Sequence, residues 1–207
     1  MLEALEITAE KLACARGGRM VFADVSFTLK NGDALQIVGR NGAGKTSLLR
    51  VLAGLLPARS GVLRVFSAAP GRVAEQSHFI GHSDALKGAL SAGENLDFAR
   101  ALLGSPGLPV GEALEVFGLA ALRHLPVARL SAGQRRRVAL ARLLVAERPL
   151  WLLDEPFTAL DAASEETLNG VMRAHRAKGG IVIAATHRPL ALERLATLEP
   201  GRAAAGG

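Results

Sequence analysis

A glycine-rich segment, Gly39-Arg40-Asn41-Gly42-Ala43-Gly44-Lys45-Thr46 followed by Ser47, contains the residue types that bind phosphate in proteins. Glycines have no Cβ, so successive backbone N–H groups can curl around phosphate oxygens, and a following helix directs the positive end of its dipole toward the same anion. Lys45 can reach the β- and γ-phosphates of a nucleoside triphosphate, and the Thr46 hydroxyl can bind Mg²⁺. The spacing GxxxxGK followed by Thr therefore predicts a phosphate-binding loop.

Two carboxylates at the end of an apolar run form the second group of residues that could do chemistry. Leu150-Trp151-Leu152-Leu153 is followed directly by Asp154 and Glu155. A buried strand that ends in a carboxylate places Asp154 where it can bind a metal ion opposite the phosphate loop. Glu155, one residue on, points differently and could polarise an attacking water. An acidic strand end alone often has no such role, but together with a phosphate loop it predicts nucleoside triphosphate hydrolysis.

The segments that flank the glycine-rich loop predict how it is positioned. An apolar run at residues 34–38 leads directly into the loop, and from Thr46 onward the apolar residues recur with the period of a helix. We expect the apolar face of this helix to extend through Leu55 and Leu56, and Pro57 to stop it. A loop between a buried strand and a helix is the context that a phosphate-binding loop requires.

The rest of the chain predicts strands that alternate with helices. Ser91 with Glu94, and Ser131 with Gln134, form the pattern of a capping box that begins a helix. The later strands are apolar throughout, as are strands buried on both faces of a parallel sheet. The expected helices span residues 91–103, 110–117, 131–146 and 162–177, and the expected strands span 2–12, 25–30, 34–38, 62–66, 78–80, 150–153 and 181–184.

Composition narrows the class of protein. Of the 207 residues, 49% are hydrophobic and 21% charged, which is ordinary globular usage, and no apolar run approaches the roughly 18 residues of a membrane span. The single cysteine, Cys14, excludes an internal disulfide framework and fits a reducing, cytoplasmic compartment. The net charge of +6 suits an anionic ligand or lipid surface, but an arginine-rich, GC-rich coding sequence also produces it. With no tyrosine and one tryptophan, the basic residues predict no nucleic-acid binding.

Three further segments resemble the motifs of one family of phosphate-loop proteins. Leu130-Ser131-Ala132-Gly133-Gln134 closely resembles the LSGGQ signature of ABC-type ATPases. Thr158-Ala159-Leu160-Asp161 resembles their D-loop, and Thr186-His187 resembles their switch histidine. With the phosphate loop and the two carboxylates, these make five motifs in the order that this family uses, over residues 2–198. The chain is therefore identified as a member of the ABC ATPases.

This resemblance implies an α/β fold of the P-loop NTPase class and ABC type. A mostly parallel core sheet flanked by helices would be accompanied by an N-terminal antiparallel β subdomain and an inserted helical subdomain. Residues 1–207 would form a single ABC ATPase domain. The expected subdomains are residues 1–82 with the antiparallel sheet and phosphate loop, 83–147 with the helices and signature, 148–198 with the rest of the ATPase core, and a tail at 199–207.

The resemblance also implies that two copies of the chain form a homodimer that encloses two ATP molecules. Each ATP, together with Mg²⁺, would be bound by the phosphate loop of one copy, where Lys45 and Thr46 contact the phosphates and the metal. The other copy would contribute its signature residues Ser131, Gly133 and Gln134. A signature at the start of a helix suits this role, because free N–H groups and the helix dipole then face the γ-phosphate.

Four other side chains take roles from the same resemblance. Asp154 would bind Mg²⁺ together with the phosphate-loop threonine, and Glu155 would activate the attacking water. His187 would sense the γ-phosphate, and Asp161 would contact the second copy. Because each site needs residues from two chains, one copy alone should hydrolyse ATP poorly.

Several positions depart from the family pattern. In this family a glutamine usually binds Mg²⁺ and couples the ATPase to its membrane subunit. Counting back from Glu94 places His82 at the position of that glutamine. We therefore expect His82 to bind the metal, unless it is an ordinary histidine at the end of a strand. Arg16 replaces the aromatic residue that usually stacks on adenine, although a guanidinium can also stack on a base. Ala132 replaces a glycine, which matters if this position needs a positive φ. The three arginines at 135–137 predict a solvated helix start rather than a nucleic-acid patch.

Among ABC ATPases, the chain most resembles the ATP-binding subunit of the haem exporter of cytochrome c maturation. The resemblance rests on Phe79-Ile80-Gly81-His82, on the segment 130–142 that begins with the signature, on Asp154-Glu155-Pro156-Phe157-Thr158-Ala159, and on Gly179-Gly180-Ile181-Val182-Ile183. It implies a peripheral protein at the cytoplasmic face of the bacterial inner membrane that drives separate integral membrane permease subunits. The alternative is an exporter of lipoprotein, drug or metal chelate, which would differ only in the coupling surface around residues 81–95.

Overall fold

The structure, a computed structural model, describes residues 4–67, 73–104 and 107–201. In chain order its strands are β1 (Leu5–Arg16), β2 (Arg19–Lys30), β3 (Ala34–Ile37), β4 (Ser60–Ser67), β5 (Ser77–Ile80), β6 (Leu150–Asp154), β7 (Ile181–Ala185) and β8 (Leu195–Leu198). Its α-helices are α1 (Lys45–Leu52), α2 (Val73–Gln76), α3 (Ala92–Leu103), α4 (Val110–Val116), α5 (Ala132–Val145) and α6 (Ala162–Ala177). Short 3₁₀ turns lie at Ala120–Leu122 and Val127–Arg129.

The described strands form two sheets. An antiparallel sheet has the order β2-β1-β4, and a parallel sheet has the order β5-β6-β7-β3-β8. Helices α3, α4 and α5 are inserted between β5 and β6 and pack against one another. The predicted α/β class is therefore confirmed, with a parallel core sheet, an antiparallel N-terminal sheet and an inserted helical part.

Strands β6 and β7 are buried on both faces, which explains the apolar runs in their sequences. Along β6, Leu150 and Leu152 pack in an apolar core with α1 and the antiparallel sheet, whereas Trp151 and Leu153 pack in a second core with α3, α4 and α5. Successive side chains of a strand point to opposite faces, so one strand supplies both cores. Because the strands are parallel, the loops that follow β3 and β6 meet at the same edge of the sheet.

The helix after the phosphate loop is shorter than predicted. The expectation that its apolar face extends through Leu55 and Leu56 is wrong, since α1 ends at Leu52 and Leu55 is 62% exposed. Gly54 has a φ of 70°, and the N–H groups of both leucines donate to the Arg50 carbonyl oxygen at 2.8 and 3.2 Å. A left-handed glycine of this kind ends a helix before Pro57 can do so.

The remaining helices and strands agree with the sequence-based prediction only in part. Both predicted capping boxes are present, at the starts of α3 and α5. Strand β8 was not predicted, because it is a short edge strand without an apolar alternation. Helix α2 was also missed, and β1 continues to Arg16. Most of the predicted tail, and residues 2 and 3 of the first predicted strand, lie outside the described residues.

Two buried histidines flank the second core. His78 on β5 has its Nε2 2.8 Å from the Ala146 carbonyl oxygen, and burial lowers its pKa to about 4. His175 on α6 stacks on Trp151 with ring centroids 3.7 Å apart, and burial lowers its pKa to about 3. Both imidazoles are therefore neutral in the folded protein at pH 7, whereas an unfolded chain protonates them below about pH 6.5.

Acidification should destabilise the protein through these two groups. A folded pKa below the unfolded one means that the unfolded state binds more protons, so the free energy of unfolding is fully retained above about pH 6.5 and falls as the pH drops toward 4. In urea unfolding, we expect the free energy of unfolding of wild type to fall by about 2 kcal/mol more between pH 7.5 and 5.0 than that of His78→Gln. The glutamine amide can still donate to the Ala146 carbonyl oxygen. The exposed His124→Gln is the control; identical pH dependence in all three proteins would contradict the assignment.

Candidate nucleotide-binding and hydrolysis site

The glycine-rich loop connects β3 to α1, as its sequence context predicts. Val38 after β3 donates its N–H to the Leu198 carbonyl oxygen of β8 at 2.9 Å, which fixes the start of the loop. Gly44 caps α1 with a φ of 93°, and a Cβ there would lie 2.8 Å from Val21 Cγ1, so only glycine fits. No side chain among the described residues caps this N-terminus. The first-turn N–H groups of α1, which lack intrahelical acceptors, are therefore available to an anion.

Lys45, the first residue of α1, directs its ammonium group back over the loop. Its Nζ lies 2.6 Å from the Gly39 carbonyl oxygen and 3.3 Å from that of Arg40. The same Nζ lies 3.0 Å from His187 Nε2. Lysine can only donate, so His187 Nε2 is the acceptor of this hydrogen bond. The lysine is 8% exposed, and its charge is directed into the curve of the loop, where phosphate oxygens would lie.

Thr46 and Asp154 form a pair of hard oxygen donors. The Thr46 hydroxyl lies 2.9 and 3.1 Å from the two carboxylate oxygens of Asp154, which ends β6 and is almost fully buried. Within residues 4–67, 73–104 and 107–201, no three His, Cys, Asp or Glu side chains converge as a metal cluster. One carboxylate and one hydroxyl fit Mg²⁺, which proteins usually bind through few side chains together with substrate phosphates.

Glu155 has a backbone conformation that turns it away from the course of β6. Its φ is 44°, a left-handed conformation that costs a non-glycine residue roughly 1–2 kcal/mol. Its N–H donates to the Ala185 carbonyl oxygen at the end of β7 at 2.8 Å. The carboxylate Oε1 lies 3.7 Å from His187 Nε2. Strain stored at such a position is typical of a functional site.

Lys45, Thr46, Asp154 and Glu155 line one cavity of about 390 Å³, and His187 lies beside Lys45 and Glu155. The cavity walls come from the loop and first turn of α1 (including Asn41, Gly42 and Ser47), from the Asp154–Glu155 pair, and from Arg16 and His82. The structure thus brings two of the three positions that depart from the family pattern, Arg16 at the end of β1 and His82 after β5, to the same cavity. The cavity wall does not include the three other loop residues expected to contact the nucleotide, Gly39, Arg40 and Ala43, which lie between β3 and α1.

The predicted signature residues lie outside this cavity in the same chain. Ser131 and Gln134 cap α5 reciprocally: the Gln134 N–H donates to Ser131 Oγ at 3.2 Å, and the Ser131 N–H donates to Gln134 Oε1 at 2.9 Å. The serine accepts in this box, so its hydroxyl proton remains free to donate. Ala132 is the first helical residue of α5 and has no positive φ, so the replacement of glycine there is tolerated.

The D-loop segment contacts the signature helix. A Cβ on Gly133 would lie 2.8 Å from the Ala159 carbonyl oxygen, so glycine is required there by a close backbone approach. Ala159 itself has a φ of 62°. Asp161 caps α6 by accepting from the Ser164 N–H at 2.8 Å, and hydrogen bonds from Ser164 hold the pKa of this carboxyl below its ordinary value. In one copy of the chain, Asp161 therefore has a local structural role.

One residue that sequence reasoning misread is Arg136. The expectation of a solvated helix start is wrong for this arginine, which is 2% exposed, although Arg135 and Arg137 are partly exposed. The signal that could have found it is the helical period, because Leu140 and Leu143 follow at four and seven residues and face the core.

Comparisons with known proteins agree with this geometry. The family model described as ABC transporter matches residues 22–158. The cytochrome c biogenesis ATP-binding export protein CcmA of Bradyrhizobium diazoefficiens is 50% identical over 190 residues, which cover 91% of this chain and 95% of that protein. The protein of the same description from Rhodopseudomonas palustris is 51% identical over 187 residues, covering 90% and 94%.

A solved structure extends the likeness to the fold. An ABC transporter ATP-binding protein from Pyrococcus furiosus has a TM-score of 0.80 and covers 94% of this chain and 97% of its own, at 21% identity. That likeness concerns the fold alone, whereas the relatives similar in sequence show the family to which the chain belongs. The chain belongs to the ABC transporter family and, within it, to the cytochrome c biogenesis ATP-binding export proteins of the CcmA type.

Proposed function

We propose that this chain is the ATP-hydrolysing subunit of a membrane exporter that supplies haem for c-type cytochrome maturation. The observation that carries the proposal is the convergence of Lys45, Thr46, Asp154 and Glu155 around one cavity, with His187 beside two of them. The chain is also about half identical to CcmA-type proteins over nine tenths of its length. The CcmA relatives are described as ATP-binding export proteins, and the site has the groups that ATP hydrolysis needs.

The chemistry follows from the positions of these groups. The N–H groups of the loop and the Lys45 ammonium bind the β- and γ-phosphates and offset charge that develops on the leaving phosphate. When bound through Thr46 and Asp154, Mg²⁺ supplies further positive charge at the phosphates. Glu155 accepts a proton from the water that attacks the γ-phosphorus, and the bond to the β-phosphate oxygen breaks to give ADP and phosphate. His187, close to both Lys45 and Glu155, contacts the γ-phosphate and distinguishes ATP from ADP.

The active form is a homodimer. Ser131, Gly133 and Gln134 lie at the exposed start of α5, away from the cavity of their own chain, and this helix start offers N–H groups and a positive dipole end. In the dimer they complete the ATP site of the second copy, and Asp161 lies at the contact between the two chains. A single copy leaves the γ-phosphate side of the site open to water.

The two unusual cavity residues adapt the site without abolishing it. Arg16 stacks its guanidinium on the adenine, where an aromatic side chain is usual. His82 offers an imidazole to the metal side of the cavity in place of a glutamine amide. Both replacements change the chemical type of the contact while keeping the side chain at the cavity wall.

Transport requires separate membrane subunits. None of the helices in the described part of the chain is long and apolar enough to span a bilayer. A cleft of about 290 Å³ lies between β5, residues 85–87 and α3, and its wall includes Phe98 and Leu102, which are 48% and 73% exposed. Such large exposed apolar side chains mark an interaction surface. We assign this cleft to the integral permease subunits, which would recruit the chain to the cytoplasmic face of the inner membrane.

The test is a haem stain of periplasmic c-type cytochromes in the native host. Strains that express wild type or Glu155→Gln at equal levels are compared, with total membrane protein as the reference. We expect covalent haem to be lost in the variant, because the exporter binds ATP but no longer turns it over. Normal staining would overturn the haem assignment, leave the ABC ATPase intact, and favour an exporter of another substrate such as lipoprotein, drug or metal chelate.

A further inference from the structure

Arg136 on α5 has a complete set of hydrogen-bond acceptors inside the protein. A guanidinium has five N–H groups, and here each has its own acceptor. The acceptors are the carbonyl oxygens of Pro156 (3.3 Å, from Nε), Gly81 (2.9 Å) and Asp154 (3.1 Å), the carbonyl oxygen of Glu155 (2.9 Å), and the Asp84 carboxylate (3.2 Å). The side chain is 2% exposed, and Asp84 is its only charged partner in the described residues.

These acceptors belong to two separate segments that matter for hydrolysis. Asp154 ends β6, and Glu155 and Pro156 follow it directly, so this segment contains the metal-binding and water-activating carboxylates. Gly81 and Asp84 flank His82 in the loop after β5. Arg136 itself lies on the helix whose first residues form the signature. One guanidinium therefore joins the signature helix to both sides of the hydrolysis site.

The direction of the Glu155 carboxylate depends on this network. Its backbone is left-handed, a conformation that persists only where surrounding contacts impose it. The contacts here are the Ala185 carbonyl oxygen on the Glu155 N–H, and Arg136 Nη2 together with the Thr158 N–H on the Glu155 carbonyl oxygen. Arg136 is the one side chain among them, so a change in this residue acts directly on the peptide that orients Glu155.

The loop that carries His82 is attached to the same helix at a second point. Arg142 Nη1 lies 3.4 Å from the carbonyl oxygen of Ala85, which has a φ of 51°. Burial lowers the pKa of Arg142, and the Asp84 carboxylate opposes that effect. Asp84 therefore interacts with two arginines of α5, so we expect a displacement of that helix to shift the 81–85 loop.

We propose that Arg136 is a positioning residue for ATP hydrolysis. Its hydrogen bonds fix the positions of the Glu155 peptide and the His82 loop relative to the signature helix, α5. When the signature of one chain contacts the ATP bound by the second chain, α5 shifts. This shift changes the alignment of Glu155 in the ATP site of the first chain. This inference rests on the proposed function, since it requires ATP turnover by a dimer. It adds a link inside each chain between the signature surface and the water-activating carboxylate.

The experiment compares Arg136→Lys with Arg137→Lys in the purified chain. Both variants keep the charge, but lysine offers only three donors from a single point and cannot reach five separated acceptors. Arg137 donates to one carbonyl oxygen, that of Phe117, and serves as the matched control. We expect Arg136→Lys to lower kcat about 20-fold or more, because a misplaced catalytic group can cost about 100-fold in rate. ATP affinity should stay within about threefold of wild type, and Arg137→Lys should retain both values.

A second variant covers the case in which Arg136→Lys does not fold. Asp84→Ala removes one acceptor on an accessible loop and should lower kcat about threefold at unchanged ATP affinity. Combined with Arg136→Lys, where that variant folds, it should cause no further loss, because the two residues act through one network. Amide hydrogen exchange should rise in residues 81–85 and 154–158 of both single variants and stay at wild-type levels in Arg137→Lys.

The outcomes separate this inference from the proposed function. Wild-type kcat in Arg136→Lys, or in Asp84→Ala where that is the only folded variant, overturns the positioning role. A fall in ATP affinity equal to the fall in kcat, with exchange raised throughout the protein, also overturns it and leaves Arg136 a structural residue. If the wild-type chain neither binds nor hydrolyses ATP, it is the proposed function that fails.

Discussion

Glu155→Gln should bind ATP with wild-type affinity and hydrolyse it at least about 100-fold more slowly. Removing a general base typically costs a factor of about 100 to 10,000 in rate, because the attacking water then has no acceptor for its proton. The amide is nearly the same size as the carboxylate, so the left-handed turn and the Ala185 hydrogen bond should persist. ATP would remain enclosed between two copies, and the dimer would accumulate.

The measurement is steady-state phosphate release together with size-exclusion chromatography in the presence of Mg²⁺ and ATP. Wild type should elute mostly as monomer after turnover, whereas the variant should elute as a nucleotide-bound dimer. Glu147→Gln changes an exposed glutamate in the loop before β6 and is the control. Undiminished ATP hydrolysis by Glu155→Gln would contradict the role of Glu155 as the acceptor of the proton from the attacking water.

Lys45→Ala should weaken ATP binding by roughly 30- to 100-fold. Hydrogen bonds to charged groups contribute about 1.5–3 kcal/mol each, and Lys45 is the buried cation of the loop. The variant also removes the ammonium group that lies 3.0 Å from His187 Nε2, so the histidine loses one of the contacts that position it beside Glu155. Binding of ATP and of ADP should both fall, because the ammonium group serves the β- as well as the γ-phosphate.

Equilibrium binding of a fluorescent ATP analogue measures this effect. Lys30→Ala, at an exposed position whose ion pair with Glu6 has a 3.7 Å separation, is the control for loss of one positive charge. Equal affinity in Lys45→Ala and wild type would contradict the assignment of the phosphate loop. A loss seen in both variants would indicate general attraction of the anion to a basic protein.

The site could be predicted from the sequence because its motifs are local and the topology is strict. A glycine-rich loop between an apolar strand and a helix fixes Lys45 and Thr46 by backbone geometry alone. Parallel strands then bring the end of β6 to the same edge, which places Asp154 beside Thr46 without any further information. The assignment of chemical roles to these residues stays a prediction until the variants are measured.

What the sequence did not reveal has one local cause and two causes in contacts between distant segments. The early end of α1 is set by Gly54, whose left-handed conformation overrides the apolar pattern that continues to Leu56. Arg136 can be buried because carbonyl oxygens from two loops accept its hydrogen bonds. The pattern of charges along α5 does not indicate these distant acceptors. Edge strand β8 gains its structure from pairing with β3, which is far away in sequence.

The strand order has a consequence for synthesis of the chain. The strand that leads into the phosphate loop, β3, is made well before both of its neighbours in the sheet, β7 and β8. Non-local parallel pairing forms slowly, and unpaired strand edges invite aggregation. A ribosome-bound intermediate thus carries the loop before its flanking strands exist. We therefore expect nucleotide-binding capacity to appear only after β7 and β8 have emerged, and chaperone demand to be highest just before that point.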